Sequence, residues 1–114
     1  MILIVGGAYQ GKGDLALKLA KGDKSRILFN IHERIGAGLR AGKTREELEE
    51  ELLGAASGPE ERILTVDEVG CGVVPVDTDL REYREVTGRI LCALAKEARE
   101  VYRVVAGIPV KMKG

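Results

Sequence analysis

The chain has 114 residues, enough for one small domain with a single core over 1–114. Eighteen Lys and Arg balance eighteen Asp and Glu, so no overall field recruits nucleic acid or an acidic membrane surface, and any bound anion needs a local site. Cys71 and Cys92 lack metal-type spacing and make no disulfide framework, and the opening apolar run is too short for a signal peptide or a membrane span, so the reducing cytoplasm is the expected compartment.

Residues 2–5 predict a short buried strand. It runs straight into Gly6-Gly7-Ala8-Tyr9-Gln10-Gly11-Lys12-Gly13, where Gly6 and Gly11-Lys12 have the spacing of a phosphate-binding loop. In such a loop the glycines let successive N–H groups curl around phosphate oxygens. Lys12 reaches the terminal phosphates, and the following helix turns its positive dipole end toward them. Position 13 departs from the pattern, which wants Ser or Thr to hold Mg²⁺ with a hydroxyl. Residues 6–13 are therefore expected to bind a nucleoside triphosphate, ATP or GTP, with a weak Mg²⁺ site. Tyr9 is a candidate for stacking on a base or for folding over the loop.

A helix is expected over 14–21, with Leu15, Ala16 and Leu19 on one face, closed by Gly22. Residues 25–31 read as a second buried strand. His32, at its end, is a candidate acid, base or phosphate acceptor, although a lone histidine is more often a surface or helix-cap residue. Across 32–41 only Ile35 and Leu39 supply large apolar residues at helical spacing. Thr44 and Glu47 then form a capping box ahead of Leu48, Leu52 and Leu53, and the acid-rich run 46–51 reads as a solvated helical face. Ala41-Gly42-Lys43-Thr44 has neither the glycine spacing nor the preceding strand of a second phosphate loop, and reads as a helix stop followed by a capped helix.

A third strand, 62–66, ends in Asp67-Glu68. In phosphate-loop proteins an acid at such a strand end binds Mg²⁺ through water, and a neighbouring glutamate orients or activates a nucleophile; the alternative is two polar residues where a strand meets a turn. Parallel strands open their C-terminal ends on one edge, so Asp67 and the loop are expected to share a mouth. Residues 70–75 are turn-rich, with Cys71 between two glycines and no evident activating base. Asp79 and Glu82 form another capping box, opening a long helix to about residue 99 with Leu80, Tyr83, Val86, Ile90, Leu91, Leu94 and Ala98 inward. A fourth strand, 101–106, is broken by Gly107 and Pro109, and 110–113 adds a short edge strand. This alternation predicts the α/β class: a three-layer, P-loop NTPase-like domain with a mainly parallel sheet.

Three blocks carry a family resemblance: Glu68-Val69-Gly70-Cys71-Gly72-Val73-Val74-Pro75, then Tyr83-Arg84-Glu85 with Gly88-Arg89, then Val104-Val105-Ala106-Gly107-Ile108-Pro109-Val110-Lys111. They resemble the C-terminal half of the adenosylcobinamide kinase/adenosylcobinamide-phosphate guanylyltransferase family. Gly6-Gly7-Ala8 through Gly11-Lys12-Gly13 is similar to that family's phosphate loop, which starts Gly-Gly-Ala and ends Gly-Lys-Ser. The resemblance implies a nucleotide-binding protein of cobalamin biosynthesis, with a corrinoid acceptor and a homo-oligomeric assembly. It also implies roles: Lys12 steadies the γ-phosphate, Asp67 holds Mg²⁺ through water, and Glu68 orients an attacking hydroxyl.

Family members are longer, and the missing length falls between the second strand and Arg62. That region carries the family's guanylylated histidine and an acidic strand motif, neither of which is recognisable in 31–61. Leu91 and Cys92 replace a usual Asn-Gln pair, and Arg99 a common Asp. The expected function is therefore nucleotide binding, with no covalent nucleotidyl intermediate on His32 and, if the chain is catalytic, a cobinamide-kinase type of phosphotransfer. The alternative is a non-catalytic paralogue that acts as a binding or assembly partner.

Overall fold

The computed structural model describes residues 1–68 and 78–114, with side chains described up to 68 and again from 80. In chain order the elements are β1 (Ile2–Gly6), α1 (Lys12–Leu19), a 3₁₀ turn (Lys24–Arg26), β2 (Ile27–Leu28), α2 (Ile31–Arg40), α3 (Arg45–Ala56), β3 (Ile63–Asp67), α4 (Thr78–Glu97), β4 (Glu100–Val105) and β5 (Ile108–Lys113). The strands form one sheet in the order β2-β3-β1-β4-β5, parallel except for β5, which returns antiparallel to β4.

Handedness explains the layers. The step from β1 to β2 moves along the sheet in one direction and the steps from β2 to β3 and β4 move back, so right-handed crossovers place α1 on one face and the later helices on the other. Strand alternation then divides the core. Ile2, Ile4 and Ile63 face Ala16 of α1 and Ala20, which caps its end. Leu3, Leu64 and Val66 face Ile31 and Ile35 of α2, Leu48 and Leu52 of α3, and Ile90 and Leu94 of α4. Burying each large aliphatic side chain contributes roughly 1.5–3 kcal/mol. The result is the three-layer α/β arrangement expected from the alternation of strand and helix signals.

Several boundaries differ from the sequence reading, each for a local reason. The expected strand 25–31 shrinks to Ile27–Leu28. Upstream, the Asp23 carboxylate accepts the Ser25 N–H at 3.1 Å and caps the 3₁₀ turn. Downstream, Asn30 is left-handed (φ 56) and its N–H leaves for Thr65 Oγ1 at 2.9 Å. Ile31 thus begins α2, fully buried, and His32 lies in that helix's first turn rather than at a strand end. α1 starts at Lys12, earlier than expected.

The expected break at Gly107 and Pro109 is instead a hairpin: Ala106 (φ 49) and Gly107 (φ 78) make a left-handed two-residue turn. Pro109 falls within β5, at the sheet edge where a missing N–H is tolerated. Leu80, expected inward on α4, is exposed, whereas Ile90, Leu94 and Ala98 are buried. The Thr44–Glu47 capping box is present in both of its hydrogen bonds. The turn-rich 70–75 with Cys71, and the Asp79 side chain of the second box, lie outside the described residues. No helix among the described residues is long and apolar enough to cross a membrane.

Candidate functional site

The connection after β1 departs over one face and the connection after β3 over the other, which opens a crevice between their C-terminal ends. The register pairs Gly6 with Asp67, so the start of the loop and the strand-end carboxylate lie side by side. A Cβ at Gly6 would stand 2.6 Å from the Val104 carbonyl oxygen; only glycine lets β1 pass β4 here. Gly11, left-handed at φ 98, leads into α1 with no side-chain cap, so no side chain accepts from the first-turn amides.

The loop is pinned from the side by the β4–β5 turn. Gln10 accepts twice: its carbonyl takes the Gly107 N–H at 2.9 Å and its Oε1 takes the Ala106 N–H at 2.5 Å. Tyr9, at φ 58, stands fully exposed at the loop apex.

Lys12 is only 7% exposed. Its ammonium donates to the Gly7 carbonyl at 2.7 Å and meets Asp67 Oδ1 at 2.6 Å. Asp67 Oδ2 lies 3.4 Å from His32 Nε2, and the Asp67 N–H donates to His32 Nδ1 at 3.0 Å. The Tyr83 hydroxyl on α4 donates to the His32 carbonyl at 3.2 Å. Burial raises the pKa of that phenol, and the Asp67 and Glu33 carboxylates push the same way, so it stays a donor through the ordinary pH range. These groups border a cavity of about 380 Å³, lined by the loop, Phe29, Asn30, His32, Glu33, Thr65 and Asp67. A larger groove of about 960 Å³ between α2 and α4 shares His32 and Glu33 with it.

The structure therefore brings Gly6, Gly7, Ala8, Tyr9, Gln10, Gly11, Lys12 and Gly13 together with Asp67, and sends Glu68 elsewhere. One residue past Asp67, Glu68 falls on the opposite face, where its carboxylate meets Arg103 Nε at 2.9 Å. Gly13 lines the cavity, and a Cβ there would meet nothing closer than Phe29 Cε1 at 4.0 Å. Among the described residues no group of three or more His, Cys, Asp or Glu is arranged to hold a metal.

Two features differ from the sequence reading. His32, a candidate there, belongs to the first turn of a helix rather than to a strand end; the available signal is Asn30, a residue that tolerates the left-handed conformation, two positions ahead of it. The expected strand break is the hairpin turn that holds Gln10, and an X-Gly pair between two apolar runs is the signal for it.

A family model described as cobinamide kinase / cobinamide phosphate guanyltransferase matches residues 27–112, from β2 into β5 and downstream of the loop. The bifunctional adenosylcobalamin biosynthesis proteins CobU of Escherichia coli (strain K12) and Salmonella typhimurium (strain LT2) are each 44% identical to this chain over 55 residues. That stretch is 48% of this chain and 30% of each relative, so the chain spans about a third of the curated proteins that it matches.

Proposed function

We propose, because this chain belongs to the cobinamide kinase / cobinamide phosphate guanyltransferase family, that the cavity between β1 and β3 binds a nucleoside triphosphate, ATP or GTP, and that the protein acts in the cytoplasm as a phosphotransferase of the cobinamide-kinase type. The observation that carries this reading is the buried Lys12 ammonium, held between Asp67 at 2.6 Å and the Gly7 carbonyl at 2.7 Å beside an uncapped helix start. A cation, free first-turn amides and a helix dipole then converge on one small cavity, which is the chemistry a phosphate chain requires. The names of the two bacterial relatives support the assignment to adenosylcobalamin biosynthesis.

Each residue has a role in this reading. The backbone of residues 6–13 cradles the phosphates, and Lys12 steadies the terminal one. Mg²⁺ fits the donor set, because the ion keeps several waters and takes one or two carboxylates besides the phosphates. Asp67 would be the carboxylate that holds the ion, and Gly13 would give it no hydroxyl. When bound, the ion neutralises charge developing on the β- and γ-phosphates. Glu68 can orient an attacking hydroxyl only by releasing Arg103. A corrinoid acceptor has room in the groove between α2 and α4. Guanylyl transfer through His32 is not part of the proposal, since Nδ1 is taken by the Asp67 N–H and Nε2 lies 3.4 Å from the Asp67 carboxylate.

A second reading is a non-catalytic paralogue that works by assembly, with a second copy of itself or another partner. Gly13 and the Glu68–Arg103 pair favour it, as do Val105, Ile108, Val110 and Met112, exposed together on the β4–β5 hairpin.

Titration calorimetry with ATP and GTP, each with Mg²⁺, tests the binding step. Charge-assisted hydrogen bonds are worth about 1.5–3 kcal/mol, so Lys12→Ala weakens binding by roughly one to two decades. Absence of binding of either nucleotide to the wild type at millimolar ligand overturns the proposal. Phosphate transfer from bound nucleotide to cobinamide separates the enzyme from the paralogue.

A further inference from the structure

We infer that His32 is a positioning residue that holds Asp67, and through it Lys12, in the geometry that nucleotide binding uses. The inference rests on the nucleotide-binding reading of the cavity.

The need for such a residue arises from the shortness of β2. That strand pairs with β3 only at Ile27↔Ile63 and Leu28↔Leu64. From Thr65 onward β3 has no strand on that side, while β1 continues to pair with it on the other as far as Gly6↔Asp67. The Glu68 N–H turns toward β1 and donates to the Gly6 carbonyl at 2.9 Å. The Asp67 N–H, one residue earlier, turns the other way, where the ladder has run out. His32 Nδ1 receives it at 3.0 Å and takes the place of the missing strand carbonyl.

This bond also fixes the ring. With Nδ1 accepting, a ring proton can sit only on Nε2, which lies 3.4 Å from Asp67 Oδ2. One ring therefore holds the Asp67 backbone by a hydrogen bond and packs beside its carboxylate, while Oδ1 meets the Lys12 ammonium. The grip is itself anchored: Ile31 is fully buried beneath α2, and Tyr83 of α4 donates to the His32 carbonyl. A chain of contacts thus runs from α4 through α2 to the end of β3 and the loop. Groups that orient a ligand-binding carboxylate in this way typically change affinity by about 10–100-fold when removed.

Three measurements on the whole chain test the inference. Amide hydrogen exchange without ligand should show Asp67 exchanging about tenfold faster or more in His32→Ala, with Leu64 and Val66 protection retained as evidence of an intact fold. Calorimetry should show Mg²⁺–nucleotide affinity falling at least about tenfold in His32→Ala and partly restored in His32→Asn, whose side-chain oxygen can accept the same N–H. In an Asp67→Asn background the His32→Ala effect should shrink, because residues that act as one unit are not additive. Unchanged Asp67 exchange overturns this inference alone. Full additivity of the two substitutions overturns it as well, and assigns His32 a direct contact with the ligand. If the wild type binds neither ATP nor GTP, the nucleotide-binding reading falls and this inference falls with it.

Discussion

Two glycines of the loop lie at opposite extremes of available space, and replacing each by alanine separates the physics of the fold from that of the site. At Gly6 a Cβ would stand 2.6 Å from the Val104 carbonyl oxygen, and ordinary contact begins at 3.4 Å, so β1 and β4 must part by about 0.8 Å. Both strands are interior to the sheet and hydrogen-bonded on either side, and the clashing atom is backbone, which cannot rotate away as a side chain would. Overpacking of this kind costs about 1–3 kcal/mol, and a clash with backbone belongs at the upper end. Gly13 sits in the first turn of α1, where the new methyl group meets nothing nearer than Phe29 Cε1 at 4.0 Å, and alanine there gains about 0.5–1 kcal/mol from the helix. The two variants should therefore differ by roughly 3 kcal/mol. For a domain of about 100 residues each kcal/mol moves Tm by about 4 °C or more, so the melting temperatures should lie at least about 10 °C apart. Urea titration followed by circular dichroism, with m unchanged, measures the difference. Gly6→Ala within about 0.5 kcal/mol of wild type would refute the close passage of β1 and β4.

Other consequences follow from single contacts. Gly13→Ser places a hydroxyl where space is open, and nucleotide binding should become tighter in the presence of Mg²⁺; an unaltered metal dependence means that the missing ligand is not limiting. The Glu61 carboxyl is held below its ordinary value of 4.5 by the Arg99 guanidinium, bound through two contacts of 2.6 Å. A depressed acid stabilises the fold above its unfolded-state pKa and loses that contribution as pH falls through the folded value. Arg99→Leu should thus destabilise the fold slightly near pH 7, since solvent screens an exposed pair, and the loss should vanish in acid below the folded value; an equal loss at both ends refutes the assignment. Incubation with α-labelled GTP and Mg²⁺ should leave the intact mass unchanged, whereas a stoichiometric GMP adduct that disappears in His32→Ala would restore a transferase role.

The parts of the site written in short stretches of sequence were readable before the fold was known. The run Ile2–Gly6, the glycine spacing and Lys12 are local, and strand, loop and helix follow each other with boundaries shifted by one or two residues. The Thr44–Glu47 box likewise needs only four residues. What escaped depends on how far a neighbouring strand extends. The apolar run Arg26-Ile27-Leu28-Phe29-Asn30-Ile31 looks like one long strand, yet β3 accepts only two of its residues before Asn30 turns left-handed. His32 acquires its partner because β2 stops there, and no periodicity in the chain reports the length of a pairing between segments 35 residues apart.

Glu68 teaches the opposite lesson, for its separation from Asp67 was available from the start. Adjacent residues at the end of a strand point to opposite faces, so two carboxylates meant for one ligand belong at alternate positions rather than consecutive ones. The observed pairs obey that rule. Asp67 lies on the loop side with Lys12 and His32, and Glu68 lies across the sheet with Arg103 of β4. Thr65, two residues before Asp67, is the β3 side chain that shares the Asp67 face of the cavity, and its hydroxyl is already committed as acceptor of the Asn30 N–H. Asp67 is therefore the carboxylate that β3 brings to the cavity, its N–H held by His32 Nδ1, its Oδ1 by Lys12, and its Oδ2 3.4 Å from His32 Nε2.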